Sequence, residues 1–456
     1  MANIGIITRE PATPPGPRGL PLLGVLPHLR RDTLGFIRRL GREYGDIITL
    51  DLGVERVWLL NHPDYVRRVL HDNYRNYRKS DFYKRSKPLV GLGLLTSEGE
   101  LWRRQRMLMQ PAFRRERLPH YVATMVACAE VALARWAETA ERGEALPLGR
   151  EIMRLTRTIL IRALFGEATS GAEARIDRAL ETVLAFHEAR IWSLFPLPTA
   201  LPTPANLRYR AALGALNELV RSLIRACRAR GAPGEDLLSL LVFARDESTG
   251  EGMSEQQLRD EVMTIFIAGH ETTALATLWT LVLLSWHAEE RARLEAEIDG
   301  ALARRPPGFA DLGRLGYAAR VVQEAMRLYP PLWTFSRAAI VEDEIGGFAI
   351  PAGTTVMICP YLVHRHPDIW PDPERFDPER FLPVEVERRH PYAHFPFAAG
   401  PRKCIGAQLG LTEAILLTAM ICQRFRLLLP AGEAIVPRAM MTLRPRREIM
   451  AQLERR

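Results

Sequence analysis

The chain has 456 residues, 47% hydrophobic and 25% charged, a balance that describes a globular protein and excludes disordered and collagen-like classes. Its net charge of +9 is carried almost wholly by arginine, interspersed with acids and without a nucleic-acid-binding module, so no nucleic-acid partner is expected. Five widely separated cysteines, Cys128, Cys227, Cys359, Cys404 and Cys422, lack Cys-x-x-Cys spacing, which argues against a disulfide framework and points to a reducing, cytoplasmic compartment.

The start of the chain lacks a charged leader followed by a sufficient apolar run, so no signal peptide is expected, and residues 4–7 are far too short a stretch for a transmembrane anchor. Residues 1–24 read as a Pro-rich, extended N-terminal arm. The stretch "GDIITLDLGVERVWLLN" predicts two short strands turning near Gly53. From about residue 63 to 230 the pattern is helical, with breaks predicted at 87–93 and 195–204. The second break, "LFPLPTALPTP", is apolar yet so rich in proline that it must be a loop; lining an apolar entrance, lying in a membrane surface and packing on the core all fit it.

Helical pattern resumes from Ser254 to about Leu328, and after Pro330 short strands and turns take over. A last helix is predicted after Cys404, followed by short terminal strands. The only internal repeat is the tandem "DPERFDPERF" at residues 372–381, too short to build a solenoid. No linker or composition shift divides the chain. One domain over residues 1–456 is expected, mainly α with small β-sheets, with no fused reductase.

The longest apolar stretch, residues 262–286, carries "IAGHETTALA" at its middle. Ser254 with Gln257 forms a capping-box pattern, so the helix should start near Glu255. It is long enough to span a bilayer, but an ionisable residue at mid-membrane costs about 2.5 kcal/mol or more, and His270 and Glu271 lie near its midpoint. A buried core helix is the better reading. His-Glu-x-x-His would suggest zinc, but Ala274 stands where the second histidine belongs. Ala268 and Gly269 remove bulk beside Glu271 and Thr272, and the Thr272 hydroxyl can bond back to the Ala268 carbonyl and loosen the helix. Small residues, a carboxylate and a hydroxyl together make a place to handle protons beside a bound group.

The loop "FPFAAGPRKCIGAQLG" offers a way to hold that group. Cys404 lies just before an apolar helix, whose N–H groups and positive end favour a thiolate. With no second cysteine or paired histidine nearby, a four-ligand zinc site is not expected; a single thiolate suits one axial position on haem iron, although an arbitrary lone cysteine is more often structural.

These motifs resemble the cytochrome P450 family of haem-thiolate monooxygenases, in its soluble bacterial form. The family's Phe-x-x-Gly-x-Arg-x-Cys-x-Gly signature is matched by Phe397, Gly400, Arg402, Cys404 and Gly406, with Ala398 a mild departure. The oxygen-activation motif is matched from Ala268 to Thr273, Glu-x-x-Arg by Glu324 and Arg327, and Pro-Glu-Arg-Phe by the second repeat copy, which holds Arg380. The resemblance implies the P450 fold, with haem b between the long central helix and the Cys404 loop with the last helix. Cys404 would be the axial ligand, and Glu271 and Thr272 the acid–alcohol pair that delivers protons during oxygen activation. Haem contacts would come from Arg402, Arg337, Trp102, Arg106, Phe397, Gly406 and Ala268, and Glu324, Arg327 and Arg380 would form a structural triad.

By the same resemblance, Phe82, Trp192, Phe195, Phe266, Trp333, Phe335 and Met440 (with Met441) would line a hydrophobic substrate pocket. Each alone is also explained by core packing. The substrate would be a fatty acid, terpenoid or carotenoid-like molecule, hydroxylated or epoxidised. Electrons would come from a separate ferredoxin or flavodoxin with its reductase, for which Arg103, Arg104 and Lys403 are candidate docking charges. A peroxide-driven peroxygenase and a non-catalytic haem sensor or binding protein are the alternatives, and both are disfavoured by the intact Glu271–Thr272 pair.

Overall fold

The computed structural model describes residues 13–53, 55–166, 173–191, 198–429 and 434–456. They form a mainly helical protein with four small sheets, arranged in two compact units.

The first unit contains the described residues up to Asp81, together with Leu332–Arg375 and Pro383–Lys403. Its five-stranded sheet runs in the spatial order Ile47–Asp51, Arg56–Leu60, Thr355–Ile358, Phe335–Ala339, Tyr77–Lys79. The two expected strands pair antiparallel, with Ile47 opposite Leu60 and Asp51 opposite Arg56. Gly53 takes the turn at φ +81°, where an added Cβ would also lie 2.3 Å from the Leu22 carbonyl oxygen. Arg56–Leu60 also pairs in parallel with Thr355–Ile358. A strand with sheet partners on both edges and cover on both faces reads as a continuous apolar run, as Val57–Leu60 does. Tyr77–Lys79 falls in a stretch that the sequence pattern reads as helical, and it is a strand because it pairs with Phe335–Ala339 from far along the chain. Trp58, Leu60, Tyr77, Phe335, Val356, Ile358 and Phe395 meet in the core of this unit.

The second unit contains Phe82–Pro331, Phe376–Leu382 and Cys404–Arg456. The helical turn Lys87–Val90 stands inside one predicted break, and the break itself comes at Gly91, φ +56°, where a Cβ would run into Asp260. Beyond it, Leu92 N donates to Asp260 Oδ2 at 2.9 Å and Leu94 N to Glu261 Oε2 at 2.8 Å, which ties the loop to the central helix.

That central helix comes in two pieces, Glu255–Gly269 and Glu271–Trp286. The predicted capping box starts it: Gln257 N donates to Ser254 Oγ at 3.1 Å and Ser254 N to Gln257 Oε1 at 2.9 Å. Its second piece packs against the helices Leu148–Phe165, Gly316–Leu328 and Ala407–Arg424, and every residue from Thr273 to Leu284 is buried. Among the described residues, Glu255–Trp286 as a whole is the one helix long and apolar enough to cross a membrane, and 72% of its most apolar stretch is buried inside the protein.

Near the centre of this unit, Glu324 and Arg327 lie one turn apart on Gly316–Leu328, both fully buried. Arg327 Nε donates to Glu324 Oε2 at 2.6 Å and Nη2 to Oε1 at 2.8 Å, a bidentate pair. Glu324 Oε1 also accepts from Asp377 N at 2.9 Å and lies 3.6 Å from Arg380 Nε. Burial pushes the Glu324 carboxyl up while Arg327 pulls it down. Arg380, in the second repeat copy, is thus drawn to the buried acid, whereas Arg375 in the first copy is exposed. Removing one partner of a buried pair costs roughly 3–5 kcal/mol. Arg327→Ala should therefore lower the denaturant midpoint severely. Arg380→Ala should lower it, and the yield of pigmented protein, clearly more than Arg375→Ala; equal or reversed losses would place the structural arginine in the wrong copy.

Candidate active site

At the break in the central helix, three side chains bond to backbone carbonyls four residues earlier. Thr272 Oγ1 donates to the Ala268 carbonyl at 2.8 Å, and Thr273 Oγ1 reaches the Gly269 carbonyl at 3.4 Å. His270 Nδ1 meets the Phe266 carbonyl oxygen at 2.8 Å, and His270, at φ −100°, ψ −47°, is the residue between the two helical pieces. Such back-bonding from i to i−4 bends and weakens a helix. Burial pushes the His270 imidazole toward its neutral form.

At this break the helix surface opens. Ala268 is exposed, and Ile267, Gly269, Glu271 and Thr272 are half-buried, between two runs that are buried throughout. The two small residues divide the work. A Cβ on Gly269 would stand 3.1 Å from the Leu160 side chain, so the missing side chain there serves packing against Leu148–Phe165. The opening itself comes from Ala268. Glu271 Oε1 accepts from Thr442 Oγ1 and from Arg444 Nη2, each at 2.5 Å. Neither partner is an expected proton-handling residue from the sequence, where Arg444 is one of three arginines in "MMTLRPRRE".

Cys404 begins the last segment of the second unit, and it is the exposed cysteine while the other four are buried. Burial pushes the Cys359 and Cys422 thiols up to about 12, which leaves them inert. The helix Ala407–Arg424 starts three residues after Cys404, and Ala407 N donates to the Cys404 carbonyl at 3.4 Å. Trp102 and Arg106 lie one turn apart on the helix Gly99–Met109, both half-buried. Burial pushes the Arg106 guanidinium down and the charge of the Cys404 sulfur pushes it back up, so this cation and the thiol share one electrostatic environment.

In the first unit, Arg337 is buried on the strand Phe335–Ala339, where its guanidinium stacks over the Phe335 ring at 5.2 Å. Arg402 and Phe397 are half-buried and Lys403 is exposed in the loop that ends this unit. Gly400 is required there: at φ +68° a Cβ would come 1.8 Å from the Leu70 carbonyl oxygen.

The candidate pocket residues differ among themselves. Phe266 packs on Phe165 at 5.6 Å in the hydrophobic core of the second unit, so core packing takes it up. Phe82 is 45% exposed, with Arg85 over its ring at 5.8 Å. Met440 is half-buried and its N–H donates to the Thr442 carbonyl at 3.0 Å. Trp333 and Phe335 are buried in the first unit. Trp192 and Phe195 lie outside the described residues. Of the candidate docking charges, Arg104 is held by Glu251 at 2.9 Å, while Arg103 is exposed beside Glu100 at 3.8 Å.

This donor set fits haem: an exposed thiol at a helix start with a guanidinium in its field, and an opening in the central helix that presents Ala268, a hydroxyl and a carboxylate. The cytochrome P450 family model matches residues 14–453. A cyclooctatin synthase of Streptomyces melanosporofaciens is 39% identical over 431 residues, 94% of this chain and 92% of that protein. Cyclooctat-9-en-7-ol 5-monooxygenase of the same organism is 37% identical over 414 residues, 90% of this chain and 88% of that one. The solved structure of the cytochrome P450DA heme domain superposes with a TM-score of 0.89 at 28% identity, covering 98% of this chain and 99% of the other. With its motifs, its fold and these relatives in agreement, the chain belongs to the cytochrome P450 family of haem monooxygenases.

Proposed function

We propose that the protein is a cytoplasmic monooxygenase, one catalytic domain built around haem b, that inserts an oxygen atom into a terpenoid substrate with electrons from a separate ferredoxin or flavodoxin. The observation that carries this reading is the opening at the central-helix break, where Ala268, Thr272 and Glu271 are presented together. The terpenoid class is supported by the relative named for its action on cyclooctat-9-en-7-ol, an alicyclic alkenol. Half-buried Met440, whose thioether adapts to irregular apolar shapes, suits such a substrate.

Haem, when bound, supplies the iron at which dioxygen is reduced and split. The chain's own residues do the rest. Cys404, three residues before Ala407–Arg424, would hold the iron as a thiolate, with Arg106 in its field. Arg106, with Trp102 one turn away on the same helix, would bind a carboxylate of the haem, a task that suits a guanidinium because it stays charged when desolvated.

Each turnover places one oxygen atom in the substrate and releases the other as water, which takes up two protons. Thr272 Oγ1 is the last protein atom on their route; at rest it donates to Ala268 O, a bond it gives up as it passes a proton on. Glu271, one residue earlier, brings protons to that hydroxyl from the side of Thr442 and Arg444. The intact acid and hydroxyl favour a dioxygen-driven reaction over a peroxide-driven one.

The reduced, carbonyl-bound protein should show the strongly red-shifted Soret band of thiolate ligation, and Cys404→Ser should abolish it. Retention of the band in that variant would sink the ligand assignment. Thr272→Val keeps the branched shape and should leave folding and substrate binding nearly intact. General acid–base assistance is worth about 10²–10⁴-fold, so product per reduced cofactor should fall by about tenfold or more, with the electrons recovered as hydrogen peroxide. Unchanged coupling would make Thr272 a packing residue.

A further inference from the structure

Glu271 shares its cation with a second acid. Arg444 Nη2, which donates to Glu271 Oε1 at 2.5 Å, also lies 3.1 Å from Glu188 Oε1 on the helix Glu173–Ile191, out of line for a hydrogen bond. Arg444 belongs to a hairpin in which Pro437–Ala439 pairs with Leu443–Pro445, and its register sets Arg438 opposite Arg444. A committed Arg–carboxylate pair uses two parallel N–H bonds, as Arg327 does with Glu324. Here a single nitrogen serves both acids, and the buried Arg444 Nε has no hydrogen-bond partner among the described residues. Such a guanidinium is bonded to one acid and poised beside another.

The charged and titratable groups around this contact come from several elements. Glu188 is pushed up by burial, drawn down by Arg444, pushed up again by Glu271 and drawn down by Arg438. His270 sits next to Glu271 and in turn feels Arg157 of Leu148–Phe165 and Asp177 of Glu173–Ile191. On Gly316–Leu328 the buried acid Glu324 is closed by Arg327, and on Ala407–Arg424 the Glu413 carboxyl is pushed up to about 8 by burial alone. Arg444 is therefore the cation that touches Glu271, and Glu188 is the anion that competes for it.

We propose that Arg444 is a positioning residue for proton supply: shared between Glu271 and Glu188, it sets the orientation and proton affinity of the Glu271 carboxylate, and Glu188 weakens its hold. This rests on Glu271 being the acid of the pair. Taking away the cation makes a carboxylate harder to ionise, and taking away the competing anion does the reverse. The two substitutions must then act in opposite directions, which a merely structural role would not produce.

The test is an infrared pH titration of the Glu271 carboxyl in the haem-loaded protein, assigned by its absence in Glu271→Gln. Coupling is measured across the same pH range, and the reduced carbonyl spectrum reports loading. Arg444→Met should raise the Glu271 midpoint by about one pH unit or more, and Glu188→Gln should lower it. The acidic limb of the coupling profile should move the same way in each variant. Midpoints that stay in place, or move together, overturn the proposal. If instead Glu271→Gln leaves coupling untouched while the midpoints shift as expected, Arg444 governs Glu271 but Glu271 is not the acid of the reaction.

Discussion

The 2.8 Å bond from the Thr272 hydroxyl to the Ala268 carbonyl stands at the point where the central helix stops being continuous. On one side of it Leu258–Phe266 is wholly buried, and on the other Thr273–Leu284. A helix buried on all faces has nowhere to meet a ligand unless its own backbone gives way. Ala268 opens the surface, Gly269 lets Leu160 close in behind, and His270 takes the Phe266 carbonyl, so the distortion is confined to a single turn. The same contact holds the hydroxyl proposed for proton delivery.

Ionised groups inside the second unit are treated in two ways. Glu324 and Arg327 are fully buried and bidentate, with the Asp377 amide taking a further lone pair, which makes a rigid brace against the Phe376–Leu382 segment. Glu271 and Arg444 are partly exposed, joined through one nitrogen, and share that nitrogen with Glu188. The first arrangement resists movement and the second permits it. A brace suits a structural role, and an adjustable contact suits the proton-handling role proposed for Glu271. The cysteines divide in the same spirit, with four thiols buried and Cys404 exposed at the start of a helix.

What the sequence disclosed was local or carried by motifs. The capping box at Ser254, the strand turn at Gly53 and the back-bond of Thr272 follow from residues within four positions of each other, and each is seen in the structure. The choice between repeat copies rested on the family resemblance, and burial now favours Arg380 over Arg375. Long-range pairing was not legible. The strand Tyr77–Lys79 exists through a partner far along the chain, and the Thr442 and Arg444 contacts to Glu271 join segments that no local pattern connects. Phe266 shows the limit of composition: an aromatic beside the active motif points to a pocket as readily as to a core, and it packs on Phe165.

The central claim is that protons reach the site through Glu271 and Thr272 at the helix break. The solvent deuterium isotope effect on product formation, under saturating reductant and substrate, tests it most directly in wild type and Glu271→Gln. If the carboxylate carries the protons, the substitution makes proton delivery rate-limiting, so turnover falls and the isotope effect rises well above that of wild type. An isotope effect and turnover unchanged in Glu271→Gln would contradict the account and require another route for the protons.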